Sequence, residues 1–254
     1  MSFHGKKCPV RQIATRLALT CTALACLAAT VQAASCPPCL AFDQLDKQVR
    51  DGSLPRKEAL RAFSQIIAEL DSALAAGGPG RAATPWAFPL RGYTHKEAGA
   101  DAAQGYVAAG YDYFDGNRHG GHPSYDLFIH DRNQDSLDDR TGEPVTIVSM
   151  TGGVVVAAEP DWQPASPLRG GKYLWVYAPA EKLLLYYAHN RELLVKVGDR
   201  VEPGTPIATV GRSGLNAAKR RSPTHLHLTV LNIRNGRPVP ENILPKLRAA
   251  TPGK

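Results

Sequence analysis

The sequence predicts a mainly β, antiparallel fold with an N-terminal helical segment, on three observations. Past residue 85 the chain breaks into short strand-like runs separated by turn residues. Before residue 77 apolar residues recur at helical spacing, and near the C-terminus one run alternates two kinds of side chain with a period of two.

Residues 1–33 read as an export signal. Lys6, Lys7, Arg11 and Arg16 precede an apolar run from Leu17 to Val31, and Val31-Gln32-Ala33 places small residues at the cleavage positions. That run is shorter than the roughly 20 residues of a membrane-spanning helix, and no later segment is apolar enough to span. The expectation is therefore an exported chain, periplasmic or extracellular, that begins near Ala34 and has no stable membrane span after cleavage. The formal charge of +7 falls to +3 when those four basic residues leave with a signal that holds no acidic one. So mild a charge argues against a dedicated nucleic-acid partner. Lys219, Arg220 and Arg221 are read as a solvated loop, with substrate steering as the alternative.

All five cysteines lie within the first 39 residues, and losing the signal would remove Cys8, Cys21 and Cys26. The remaining Cys36-Pro-Pro-Cys39 pair is expected to close a local disulfide in an oxidising compartment. A redox reading lacks the strand and helix of a thioredoxin-like unit. Lipid attachment at Cys36 is disfavoured, because Ala33 stands where an aliphatic residue is usual.

From Phe42 to Ala76 the pattern is helical, with Leu60, Phe63, Ile67, Leu70 and Leu74 at intervals of three and four. Ser53 and Pro55 mark the start of one amphipathic helix and Gly77-Gly78-Pro79-Gly80 its end. Residues 34–84 thus form a helical segment and linker, and 85–254 the main domain. The segment reads as a prosegment, a targeting arm or a packing element, and its removal is expected to raise or preserve activity. Strand-like runs follow at 145–150, 153–158, 172–177, 183–189, 206–210 and 224–233. Ala178-Pro-Ala-Glu181 joins two of them in a hairpin that ends at His189, and Val197 to Gly204 has glycines where tight reversals need them.

In Thr224 to Val230, His225, His227 and Thr229 share one face of the strand while Leu226, Leu228 and Val230 take the other. Two imidazoles then enter one site from a strand with a buried side. Zinc catalysis needs three histidine or carboxylate ligands, an open position for water and a nearby base or donor. His122, Asp126 and His227 fit the ligand roles, leaving His189 and His225 for the reacting groups. On a flat strand His122 and Asp126 would lie roughly 13 Å apart, and Pro123 supplies the bend that brings them together.

The ordered set His122-x-x-x-Asp126, Tyr187-Ala-His189 and His225-Leu-His227, with the turn region Val197 to Gly211, resembles the lysostaphin-type zinc metalloendopeptidases of bacterial peptidoglycan, over about residues 86–235. The resemblance implies a sandwich-like catalytic domain of the duplicated hybrid motif type. It implies Zn2+ held by His122, Asp126 and His227, with His189 and His225 as the catalytic pair. It also implies hydrolysis of amide bonds in peptidoglycan peptides by a metal-activated water. The alternatives are a non-catalytic relative that binds wall or activates a hydrolase, and a zinc protease acting on proteins. Tyr125 stands where the family commonly has glycine, and is expected to narrow or reshape the site. His119 competes with His122, but its seven-residue spacing from Asp126 does not match the motif. His95 and His130 lack comparable support, and His4 lies in the signal. The main domain has no cysteine and no Gly-x-Ser-x-Gly elbow, which sets aside nucleophilic serine or cysteine mechanisms.

The stretch from Asp131 to Asp139 places oxygen ligands at alternating positions, making Asp131, Asn133, Asp135 and Asp139 a candidate Ca2+ loop. Ser136 and Gly142 depart from the EF-hand pattern. A polar turn held by Asx hydrogen bonds is the alternative.

Overall fold

A computed structural model describes residues 1–2, 36–75, 85–99 and 105–252. The signal at 1–33, apart from its first two residues, and the linker after Ala75 lie outside the described residues, as do Cys8, Cys21 and Cys26. The compact unit Ala33–Lys254 holds every element below. No described helix is long and apolar enough to cross a membrane.

Two helices stand where one was expected. α1 spans Pro37–Asp51, with proline in its first turn, where a missing N–H costs nothing. It ends at Gly52, whose φ of 67° lets the Gly52 and Ser53 amides reach back to Val49 and Gln48. α2 spans Arg56–Ala75 and starts just after Pro55, as its sequence indicates. Cys36 and Cys39 form the disulfide expected of them, at the head of α1.

The strands are β1 Ser124–Phe128, β2 Thr146–Val148, β3 Gly153–Glu159, β4 Tyr173–Ala178, β5 Leu183–Ala188, β6 Asn190–Leu193, β7 Arg200–Val201, β8 Pro206–Val210, β9 His225–Arg234 and β10 Arg237–Pro240; a short helix, α3, follows at Leu244–Ala249. The larger sheet has the order β1-β9-β5-β4-β3-β7, with β10 also on β9, and the smaller β2-β8-β6. Every strand pair is antiparallel. Strands β6, β7 and β10 escaped the sequence reading because two to four residues are too few to show a period.

Alternation on the larger sheet divides its side chains between two cores. Leu226, Leu228 and Val230 of β9, Leu185 and Tyr187 of β5, and Leu174 and Val176 of β4 face the smaller sheet, where they meet Ile147, Ile207 and Val210. The opposite face carries Tyr173, Trp175, Tyr177, Leu184, Ala188 and Leu231. It is covered by Phe42, Leu45 and Val49 of α1 and Phe63, Ile67 and Leu70 of α2. Phe63 is fully buried, its ring 5.9 Å from Phe42, 5.5 Å from Tyr113 and 5.7 Å from Phe114.

Polar contacts pin the arm as well. Arg50 Nη1 donates to Glu159 at 2.6 Å, Tyr177 Oη to Asp71 at 2.6 Å and the Ala158 amide to Asp43 at 3.1 Å. Tyr173 and Tyr113 donate to the two oxygens of buried Asp46, at 2.7 and 3.1 Å. Burial outweighs those donors and pushes the Asp46 carboxyl up to about 6.

This packing argues against the expectation that the helical segment can be removed without loss. Deleting residues 34–84 uncovers an aromatic sheet face, so the expected product is insoluble or binds a hydrophobic dye, and Phe63→Ala is expected to cost about 3–5 kcal/mol in urea unfolding. A soluble truncation with the parent's melting temperature would show the arm to be dispensable. A pH signature is also expected. With its folded pKa near 6 against an ordinary 3.8, Asp46 holds its proton more tightly in the folded state. Its contribution to stability is fullest below the unfolded value and declines as pH rises through the folded one. Relative to Asp46→Asn, the parent chain should lose roughly 3 kcal/mol between about pH 4 and 7. A pH-independent difference between the two would refute the shift.

Candidate metal centre

The site forms at one end of the larger sheet, on the face that the helical arm covers farther along. Register places Asp126 of β1 directly across from His227 of β9, and Ala188 of β5 across from the same residue on its other side. Asp126 and His227 therefore share a face, with Oδ1 and Nδ1 3.0 Å apart. His122 precedes β1, in an isolated antiparallel bridge with Val107, and its Nε2 lies 3.4 Å from the same carboxylate oxygen. His225 points the same way as His227, its Nε2 3.7 Å from Asp126.

His189 follows β5 with φ of 65°, a left-handed conformation uncommon outside glycine. Its amide donates to Gly170 O at 2.9 Å and its Nδ1 lies 2.8 Å from Ser213 O. Gly214, at φ 112°, lets the 213–214 turn approach: a side chain there would meet the Arg169 carbonyl and the His189 ring. The His189 ring packs edge-on against His225 at 4.9 Å and lies 5.4 Å from His227.

All five residues singled out from the sequence thus come together. Their donor atoms make two overlapping groups, each within 4.8 Å: His122, Asp126 and His227; and His189, His225 and His227. Either set matches known zinc chemistry, two histidines and a carboxylate or three histidines.

Hydrogen-bond partners decide where the ring protons sit. A carbonyl oxygen only accepts, so Nδ1–H of His122 donates to Gly105 O at 2.8 Å, that of His189 to Ser213 O, and that of His225 to Pro223 O at 2.7 Å. Each of the three presents Nε2 to the site as a lone pair. His227 can do the same with Nδ1 when Nε2–H donates to Thr229 Oγ1, 3.3 Å away, which is itself 2.6 Å from Ser124 Oγ. Lone pairs converging on one point, with their hydrogens committed outward, fit a cation. Burial alone would raise the Asp126 carboxyl, but His122 and His227 beside it hold it well below the usual range. Asp126 in turn raises His122, while burial pushes His227 and, more strongly, His189 down.

Two expectations change, those for Tyr125 and for the calcium loop. Tyr125 does not narrow the site, because it points to the opposite face, packs against Tyr106 at 5.5 Å and donates to Asn242 at 2.5 Å. His119 turns its Nδ1 to Gly120 O at 3.0 Å and joins neither donor group. The calcium loop is not supported. Asp131 accepts the Asp135 and Ser136 amides at 3.1 and 2.9 Å and the Thr224 hydroxyl at 2.6 Å, Asp135 accepts the Leu137 amide at 2.8 Å and the Asn133 side-chain amide at 2.8 Å, and Asp139 accepts the Arg132 amide at 3.1 Å. Those are the Asx bonds of a polar turn.

Arg169 and Tyr186 also line the site, and no motif pointed to them. Arg169 lies in an irregular segment, and Tyr186 reads as one more aromatic residue of a buried strand. Ser213 and Gly214, whose turn orients His189, lie just past the turn region read from Val197 to Gly211 and were not singled out.

Residues 134–240 match the model of peptidase family M23. The match covers less than half of the chain. The matched span includes His189, His225 and His227 and begins after His122 and Asp126. Over 106 residues, 41% of this chain, the sequence is 37% identical to "Lipoprotein NlpD/LppB homolog" of Pseudomonas aeruginosa. The alignment spans 30% of that relative's length. Among solved structures, a zinc-containing peptidase from Vibrio cholerae is 22% identical with a TM-score of 0.38, covering 67% of this chain and 41% of that one. The catalytic domain of lysostaphin from Staphylococcus simulans is likewise 22% identical with a TM-score of 0.38, covering 57% and 90%.

The 131–139 turn carries its own test. Added CaCl2 is expected to leave the melting temperature of the protein unchanged, while Asp131→Ala, which strands three donors, lowers stability by about 1–3 kcal/mol. A calcium-dependent rise in melting temperature, lost in Asp131→Ala, would reinstate the ion.

Proposed function

We propose that this chain is an exported zinc-dependent endopeptidase that hydrolyses amide bonds in peptidoglycan peptides. The observation that carries the reading is the convergence of His122 Nε2, Asp126 Oδ1 and His227 Nδ1, with His189 and His225 presenting Nε2 to the same cavity. The match to the M23 family model and the order of the three motifs support the wall substrate.

His122, Asp126 and His227 would hold the metal, and the outward bonds to Gly105 O and Thr229 Oγ1 keep the two rings in donor orientation. Zinc bound there supplies the Lewis acidity that makes water reactive toward an amide near neutral pH. His189 and His225, 8% and 6% exposed, exchange protons only at Nε2, because Nδ1 of each is bonded to a backbone carbonyl. One Nε2 of the pair takes the proton released by the attacking water; the departing amine nitrogen collects a proton from the same pair, and the acyl carbon keeps the hydroxyl. A protonated ring of the pair also faces the charge that develops on the carbonyl oxygen.

Zinc content and release of soluble peptides from purified peptidoglycan separate the roles. The parent chain should bind one zinc and lose activity on chelation. Asp126→Ala and His227→Ala should lose both metal and activity, whereas His189→Ala should keep the metal and lose about 100-fold or more in rate. If zinc is lost in His189→Ala and retained in Asp126→Ala, the three-histidine set is the binding site and the ligand assignment falls. If zinc-loaded protein releases nothing from any wall, the substrate class falls and the metal site stands.

A further inference from the structure

The metal-site cavity does not end at the histidines. A second cavity opens beside it, lined by Asp46, Val49 and Arg50 of α1 and by Tyr173 and Trp175. His119, Arg169, Gly170, Tyr186 and His227 line both, so they form the passage between the two.

The charges in this second cavity are already matched, with one exception. Asp46 accepts from two tyrosine hydroxyls, and Arg50 pairs with Glu159 and Asp51. Arg169 has no carboxylate partner among the described residues. Its one side-chain hydrogen bond there runs from Nη1 to His119 O at 2.8 Å, which fixes the guanidinium while leaving its other N–H groups directed elsewhere. Its backbone is fixed too: the Arg169 amide donates to Asn117 Oδ1 at 3.0 Å, and Asn117 Nδ2 donates to Pro167 O at 3.1 Å. Beside it, the Tyr186 hydroxyl has no hydrogen-bond partner among the described residues, and the bare Gly170 Cα gives it room, since a side chain there would collide with that hydroxyl. A half-buried, pre-positioned guanidinium next to an uncommitted phenol is a donor set for a planar anion, which arginine engages through two parallel N–H bonds.

We propose that Arg169 and Tyr186 form a carboxylate-binding subsite, through which the enzyme selects peptides carrying a free carboxylate near the scissile bond. The subsite rests on the endopeptidase reading. Its surroundings include the helical arm, because α1 contributes Asp46, Val49 and Arg50 to the wall of the second cavity and nothing to that of the metal-site cavity.

The test compares the full chain with Arg169→Gln, Arg169→Lys and Tyr186→Phe on cross-linked peptidoglycan peptides in three forms: all carboxylates free, only the C-terminal ones amidated, and only the side-chain ones amidated. One class of amidation is expected to raise the parent's KM by about ten-fold, with kcat changing much less. That class identifies the source of the carboxylate. Arg169→Gln should show the raised KM on every form and so lose the discrimination, Arg169→Lys should fall between, and Tyr186→Phe should keep a reduced preference. Indifference of the parent to both amidations, or an Arg169→Gln variant that still discriminates, overturns the subsite. Should the chain cleave none of these peptides, the endopeptidase reading fails by itself. Dissociation constants for the same three forms, measured by calorimetry, then decide the subsite in the same way: preference lost in Arg169→Gln supports it, and equal affinities overturn it.

Discussion

The register of β9 between β1 and β5 is the constraint on which the rest depends. It sets Asp126 opposite His227 and Ala188 opposite the same residue, so the carboxylate, the paired histidines and the turn that carries His189 meet at one end of one sheet. A slip of one residue would exchange the faces, sending His225 and His227 into the core between the sheets and Leu226, Leu228 and Val230 out of it. Each of those three is at most 1% exposed, and burying each is worth about 1.5–3 kcal/mol. The apolar half of the strand thus fixes the position of its chemical half, although no residue of that half enters the site.

The site face continues beyond the histidines. Past Thr229, the same alternation brings Leu231 under the helical arm, as Tyr186 on β5 is followed across the sheet by Tyr173 and Trp175. One face therefore serves two ends, polar and open at the β1 side, aromatic and covered by α1 and α2 at the other. The arm cannot be a detachable cover on this sheet, because its phenylalanines complete a core and its Asp46 and Arg50 complete a cavity wall. Folding of the arm and shape of the site are linked through the same strands.

Much of this was legible in the chain because it depends on local period. The alternation of 224–233, the hairpin at Ala178 to Glu181 and the helical spacing from Leu60 to Leu74 each report a regular element in a single window. The five site residues were legible for a different reason: three short motifs in a fixed order resemble a family whose chemistry needs those side chains. What stayed hidden depends on partners far away in sequence. Tyr125 looked obstructive because its neighbour Asp126 faces the site, yet in a strand that adjacency is what sends Tyr125 to the other side. α1 was missed in part because Pro37 and Pro38 look like helix breakers, although proline is favoured in a first turn. Arg169 has no pattern around it, and only the convergence of two cavities on its side chain gives it meaning.

The electrostatics of the centre explain how such a cluster stays ordered. A carboxylate removed from water is costly unless it is paired, and Asp126 is the only carboxylate in either donor group. Its oxygen Oδ1 lies within 3.0 to 3.7 Å of His122, His225 and His227, so two rings from β9 and one from the segment before β1 converge on one anion. Backbone carbonyls at Gly105, Pro223 and Ser213 take the outer N–H of His122, His225 and His189. Those bonds come from loops outside the sheet, so each imidazole is held between a strand or turn that carries it and a loop that orients it. The lone pairs are thereby aimed inward before any cation arrives, and less of the binding free energy is spent on ordering the rings. The same bonds confine proton exchange at His189 and His225 to Nε2, so the geometry that prepares the centre for a cation also fixes where its acid–base chemistry occurs.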